Sequence, residues 1–195
     1  MNVGAESDPL VVFEAWYAEN ARTVPKHPDA MTLASVGPHG RPSLRTVLLK
    51  GVVAGRFRFF TNYESRKARE LEQNPHAALL FHWPALERQV RVEGRVERVP
   101  SADSDEYFAT RPRESQLSAL ISPQSRPISR DELVRLRQRA EADLAGAPVP
   151  RPPHWGGYAL DPEAIELWVG DPTRLHFRHL FVREATGWRY QVLAP

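Results

Sequence analysis

Between Gln89 and Val99 apolar and charged side chains alternate, with Val90, Val92 and Val96 set against Arg91, Glu93, Arg95 and Glu97. Period two belongs to an extended strand, so this stretch must lay one face on a core and turn the other to water. The same reading makes strands of residues 31–36 and 43–49, joined by the Gly37-Pro38-His39-Gly40 turn, which signals a hairpin. Phe57, Phe59 and Phe60 mark a third strand, residues 77–83 a buried one, and residues 155–195 return to strands around a turn at Thr186-Gly187. Helical signals fall between these blocks. Asp8-Pro9 caps a helix carrying Phe13, Trp16 and Tyr17, and Ser65 opens another that Asn74-Pro75 ends. Residues 102–109 and 115–121 read as helices, and Ser129-x-x-Glu132 is a capping box for residues 131–144. Strands at both ends with helices inserted predict an α+β fold, not the regular alternation of a doubly wound sheet.

At 195 residues the chain is expected to form one domain, 1–195, with residues 1–7 a flexible start. No apolar run is long enough to span a bilayer and the first residues do not read as a signal peptide, so a cytoplasmic protein without membrane contact is expected. There are no cysteines, which excludes disulfides, thiolate metal sites and a Cys nucleophile. The net charge is +2 and the arginines are interleaved with acids along the chain, so no stripe for nucleic acid is expected. The seven histidines show no ligand spacing, and no metal is expected.

The chain's cations are placed unevenly. Only three lysines occur, Lys26, Lys50 and Lys67, and the last two lie among other cations near predicted strand and helix ends. Arg66 and Lys67 fall in the first turn of the helix capped by Ser65, where free N–H groups and the dipole favour an anion. Arg45 and Lys50, an odd number apart on one strand, are expected on opposite faces unless a bulge intervenes, and could then serve two different phosphates. Tyr107, Arg111 and Ser115 recur at i, i+4 and i+8 and would share a helical face, interrupted near Pro112, as a clamp for an anion. After Trp168 and the Asp171-Pro172-Thr173 turn, Arg174, His176 and Arg178 are expected on one face of a strand, suited to an anionic aromatic ligand. No Gly-rich phosphate loop is present, so any phosphate must be held by side chains and backbone amides.

These blocks, in this order, resemble the pyridoxine/pyridoxamine 5'-phosphate oxidases. The blocks are Asp8-Pro9, Arg45-Thr46-Val47-Leu48-Leu49-Lys50, Phe60-Thr61-Asn62, Ser65-Arg66-Lys67, Glu87-Arg88-Gln89-Val90, Tyr107-Phe108 with Arg111-Pro112-Arg113-Glu114-Ser115-Gln116, Gln124-Ser125, Trp155-Gly156-Gly157, Trp168-x5-Arg174-Leu175-His176-x-Arg178 and Leu193-Ala194-Pro195. The resemblance covers nearly the whole chain. It implies a split β-barrel homodimer with FMN at the subunit interface and oxidation of a phosphorylated pyridine at the expense of oxygen. It further implies cofactor contacts from Arg45, Thr46, Val47, Leu48, Leu49, Lys50, Phe60, Thr61, Arg66, Lys67, Gln89, Gln124, Ser125, Trp168 and Arg178. Substrate contacts would come from Lys50, Tyr107, Arg111 and Ser115, with Arg174 and His176 at the reacting end. Phe177 stands where the family usually has an acid or amide, Leu167 where it has an aromatic, and an Arg-rich segment ahead of Asp8 is not seen. These departures keep two alternatives open: a same-fold oxidase of another ring, such as a dihydrophenazine, and a protein that binds FMN or pyridoxal phosphate without turnover.

Overall fold

The computed structural model describes residues 3–24 and 26–195. Among the described residues nine antiparallel strands form one sheet, and five α-helices flank it. The strands are β1 (Ala30–Val36), β2 (Pro42–Leu48), β3 (Val52–Val53), β4 (Arg56–Asn62), β5 (His76–Trp83), β6 (Arg88–Arg98), β7 (Trp155–Val169), β8 (Phe177–Glu184) and β9 (Gly187–Leu193). The helices are α1 (Pro9–Thr23), α2 (Arg66–Gln73), α3 (Ser101–Thr110), α4 (Arg113–Ile121) and α5 (Arg130–Leu144). The order β2-β1-β5-β6-β7-β4-β3 becomes a barrel through two backbone bonds beyond the end of β2. Lys50 N donates to Arg58 O at 2.7 Å, and Arg58 N donates to Gly51 O at 3.0 Å.

The split lies in β7. Its first half, Trp155 to Leu160, pairs with β4, whereas Ala164 to Val169 pairs with β8 on the same edge. A register shift at Glu93/Gly94 on the facing strand marks the change of partner. Gly94 is required there, since a Cβ would stand 2.0 Å from the Asp161 carbonyl oxygen.

The alternation in β6 resolves as expected. Val90, Val92 and Val96 are buried, with Leu33, Leu79, Phe81, Ile165 and Leu167 beside them, and α1 adds Phe13 and Trp16. Asp8 accepts from Leu10 N to cap α1, Ser65 from Ala68 N to cap α2, and Ser129 from Glu132 N to cap α5. Val3 packs against the core, and Ser7 N donates to Gly4 O at 3.0 Å to close a turn. Met1 and Asn2, within the expected flexible start, lie outside the described residues.

Candidate active-site cleft

A cleft of about 540 Å³ opens where β2, β4, α2 and the α3–α4 junction meet. Arg45, Thr46, Val47, Leu48, Lys50, Phe60, Thr61, Lys67, Tyr107, Arg111, Ser115 and Gln124, all anticipated from sequence, line it. Two expectations about how they get there need correction. β2 ends at Leu48, so Lys50 is not on the same strand as Arg45, and both face this cleft. Leu49 turns inward and is 3% exposed, so its side chain belongs to the core. The interruption expected near Pro112 is found: α3 ends at Thr110, Arg111 is extended and Pro112 caps α4. The break still leaves Tyr107, Arg111 and Ser115 in the cleft.

The floor is aromatic. Phe60 stacks on Tyr107 with ring centroids 4.1 Å apart and on Trp155 at 5.5 Å, and the Arg111 guanidinium lies 4.5 Å from the Trp155 ring. Arg111 Nη1 is buried with no hydrogen-bond partner, and among the described residues Arg111 makes no ion pair. Lys67 donates to Thr61 Oγ1 and to Gln124 Oε1, each at 3.1 Å, again without a carboxylate. Burial, followed by the charge of Arg45, lowers the Lys67 pKa to about 8. The other cations are anchored from behind by acids that sequence reading missed. Lys50 is 2.5 Å from Asp29, and Arg45 is 3.1 Å from Glu70. In helices and turns rich in both charge signs, such acids look like ordinary solvated residues.

Arg66 departs from expectation. Its side chain is 63% exposed, pairs with Glu70 at 2.8 Å and lines a second cavity of about 300 Å³ with Arg41 and Arg69. The Arg66 backbone N–H donates to Ser125 Oγ at 3.1 Å, so Ser125 occupies the helix start without lining the cleft.

Gln89, Trp168, Arg174, His176 and Arg178 do not line the cleft. Gln89, Trp168 and Arg178 form one row across β6, β7 and β8, on the face opposite buried Val90 and Leu167. The expected single strand face of Arg174, His176 and Arg178 is not found. β8 starts only at Phe177, and Arg174 sits in a turn with φ +68°. His176 instead packs on Trp168, with centroids 4.8 Å apart, and its Nδ1 accepts from Asp171 N at 3.1 Å. Arg178 makes a two-point contact with buried Glu166, at 2.8 and 3.1 Å, and Arg91 joins the same carboxylate. Leu167, one of the departures from the family pattern, is fully buried on the core face and does not adjoin Trp168's side of the sheet.

A closed antiparallel barrel whose β7 serves two edge partners, with a cationic and aromatic cleft against its wall, defines a split-barrel protein. The family model described as pyridoxamine 5'-phosphate oxidase matches residues 17–142, and that of the pyridoxine 5'-phosphate oxidase C-terminal dimerisation region matches residues 155–195. The chain belongs to the pyridoxamine 5'-phosphate oxidase family. It is 54% identical over 193 residues to the pyridoxine/pyridoxamine 5'-phosphate oxidase of Rubrobacter xylanophilus, covering 98% of this chain and 89% of that one. It is 50% identical over 194 residues to the enzyme of the same description from Burkholderia vietnamiensis, covering 98% and 91%. Among solved structures, PhzG from Burkholderia lata in complex with tetrahydrophenazine-1-carboxylic acid superposes with a TM-score of 0.90 at 28% identity, covering 97% of this chain and 93% of that one. A pyridoxamine 5'-phosphate oxidase-related, FMN binding protein from Nostoc punctiforme gives 0.77 at 21% identity, covering 98% and 100%, and shares the fold. Among the described residues no helix is long and apolar enough to cross a membrane.

Proposed function

We propose that the cleft holds two phosphates side by side, that of FMN and that of a pyridoxine-type substrate. The protein is an FMN-dependent oxidase that converts pyridoxamine or pyridoxine 5'-phosphate to pyridoxal 5'-phosphate while oxygen is reduced to hydrogen peroxide. The observation that carries the assignment of the cleft is the buried, unpartnered Arg111 Nη1, in the same cleft as Lys67, itself a cation without an acid. Buried charge without a partner is costly, and a dianion removes that cost.

Arg45, Lys67, Thr61 and Gln124 would hold the cofactor's phosphate end. Lys50, Tyr107, Arg111 and Ser115 would hold the substrate phosphate. Bound FMN would supply the redox chemistry, taking a hydride equivalent from the carbon that bears the amine or alcohol and passing two electrons to oxygen, and on the amine branch water would hydrolyse the resulting imine with release of ammonia. The chain's own residues bind and orient. Protein–protein pairing completes the site. Of the predicted residues that lie off the cleft, Trp168, Arg174, His176 and Arg178 fall in the dimerisation region 155–195, and Gln89 pairs in register with Trp168. In the homodimer this face supplies the second wall to the cleft of the other copy, with Arg66 and Ser125 at the helix start beside it.

Oxygen consumption by flavin-loaded protein tests the reading. Pyridoxamine and pyridoxine 5'-phosphates should be turned over, and their dephosphorylated forms far more slowly. Turnover of a dihydrophenazine carboxylate, with none of either phosphate, would instead align the chain's activity with that suggested by PhzG's ligand.

Lys67 adds a pH dependence. A phosphate favours the ammonium form, so affinity for FMN should be greatest where Lys67 is already protonated. It should decline as pH rises through about 8, by up to about tenfold per unit for one linked proton. Titrating flavin fluorescence between neutral and alkaline pH measures this slope, and Lys67→Met should flatten it. A slope that persists unchanged in the variant would assign the proton elsewhere.

A further inference from the structure

We propose that Glu70 is a positioning residue for the cofactor phosphate, fixing the guanidinium of Arg45 through a buried carboxylate that Arg66 shares from outside the cleft. This rests on the reading of the cleft given above. Glu70 is 5% exposed, although it lies on α2, most of whose residues are charged. Its two oxygens divide the labour. Oε1 accepts from Arg66 Nε at 2.8 Å, while Oε2 accepts from Ser35 Oγ at 2.6 Å, Ser43 Oγ at 2.5 Å and Arg45 Nη2 at 3.1 Å. The same two hydroxyls also accept from Arg45, Ser35 from Nη1 at 2.6 Å and Ser43 from Nη2 at 2.5 Å. Leu33 O takes Nη1 as well, at 3.1 Å. All four terminal N–H groups of Arg45 are thereby tied to the barrel wall, which fixes one guanidinium orientation and leaves its Nε–H and its charge for an anion in the cleft.

Charge supports the same role. Arg45, Arg66 and Lys67 bring three positive charges to the start of α2, where the helix dipole adds to their mutual repulsion. Glu70 leaves a net excess of two, matching a phosphate monoester of charge about −1.5 to −2. The hydrogen bonds keep Glu70 ionised. Burial raises its pKa, yet the bonds from Ser35, Ser43, Arg66 and Arg45 bring it down to about 2. A fold would not gather this many donors for one carboxylate merely to cap a helix, since α2 is already capped by Ser65.

Two expectations separate positioning from simple charge. If Glu70 only offsets charge, Glu70→Gln makes the site more positive and FMN binds more tightly. If it positions, the arginines are released and FMN binds less tightly, while riboflavin, which has no phosphate, is unaffected. The experiment is fluorescence titration of the flavin-stripped full-length chain with FMN and with riboflavin, together with a thermal melt of each protein. The expected result is a fall of at least about tenfold in the FMN-over-riboflavin affinity ratio in Glu70→Gln, the scale of one charge-assisted hydrogen bond. Ser43→Ala, which removes a hydroxyl touching both side chains, should lower the ratio in the same direction, and it carries the test if Glu70→Gln fails to fold. A ratio that is unchanged or increased in the folded variants overturns the role of Glu70 and leaves the cofactor assignment standing. A wild-type chain that binds FMN no better than riboflavin overturns both.

Discussion

Arg111→Ala is expected to raise the KM for pyridoxamine 5'-phosphate by roughly a hundredfold or more while leaving FMN content near that of the unaltered protein. The argument is one of stranded charge. Arg111 Nη1 is buried without a partner, and the ring of Trp155 supports the guanidinium from one side. Burial lowers its pKa, and only Tyr107 acts in the opposite direction. On the proposed assignment the substrate phosphate is its missing partner, so truncation removes a charge-assisted contact in a desolvated cleft, worth about 3 kcal/mol. The loss is confined to substrate, because the cations assigned to the cofactor are Arg45 and Lys67, and neither bonds to Arg111. Steady-state kinetics on the two phosphates, with bound flavin measured by absorbance, reads both quantities. An unchanged KM, or a parallel loss of flavin, would place Arg111 on the cofactor instead. Arg111→Lys should recover only part of the loss, since an ammonium cannot reproduce the planar contact with Trp155.

Local patterns suffice for features that near neighbours in the chain decide. Period-two burial in β6 and the caps at Asp8, Ser65 and Ser129 depend on neighbouring residues, and they could be read directly. Barrel closure could not be read, because it depends on Lys50 and Gly51 meeting Arg58 after a two-residue strand too short to carry a pattern. The same gap misplaced the Arg45–Lys50 pair: counting along one strand gives opposite faces, whereas the chain leaves the strand at Leu48 and turns back. The cations of the cleft were legible as types and blocks. The carboxylates behind them, Asp29 and Glu70, were not, nor was Glu166 behind Arg178, since burial of an acid is decided by tertiary neighbours and leaves no local mark. Alternation alone puts Arg174 on a strand, but its left-handed backbone places it in the turn that carries His176 back toward Trp168.

That turn sets the last expectation. The Asp171 N–H bond to His176 Nδ1 makes Nδ1 an acceptor, so a neutral His176 carries its proton on Nε2 and presents it as a donor. Trp168 fixes the plane of the ring. A donor held this way is suited to orienting a polar substituent of a pyridine ring. Replacing His176 or Arg174 with Ala should therefore lower kcat/KM by about a hundredfold, the cost of a misplaced reacting group, with flavin binding nearly intact. Phe177 provides the contrast. Its side chain shares the strand face of His179 and Phe181, is stacked against His179 and is 53% exposed, on the side of β8 away from Arg178. An acid there would adjoin His179 and neither Arg174 nor His176. Phe177→Asp should thus change kcat/KM by less than about threefold, within the range of a surface substitution. A large gain in turnover on restoring the acid would show that Phe177 reaches the reacting end of the substrate after the second copy docks.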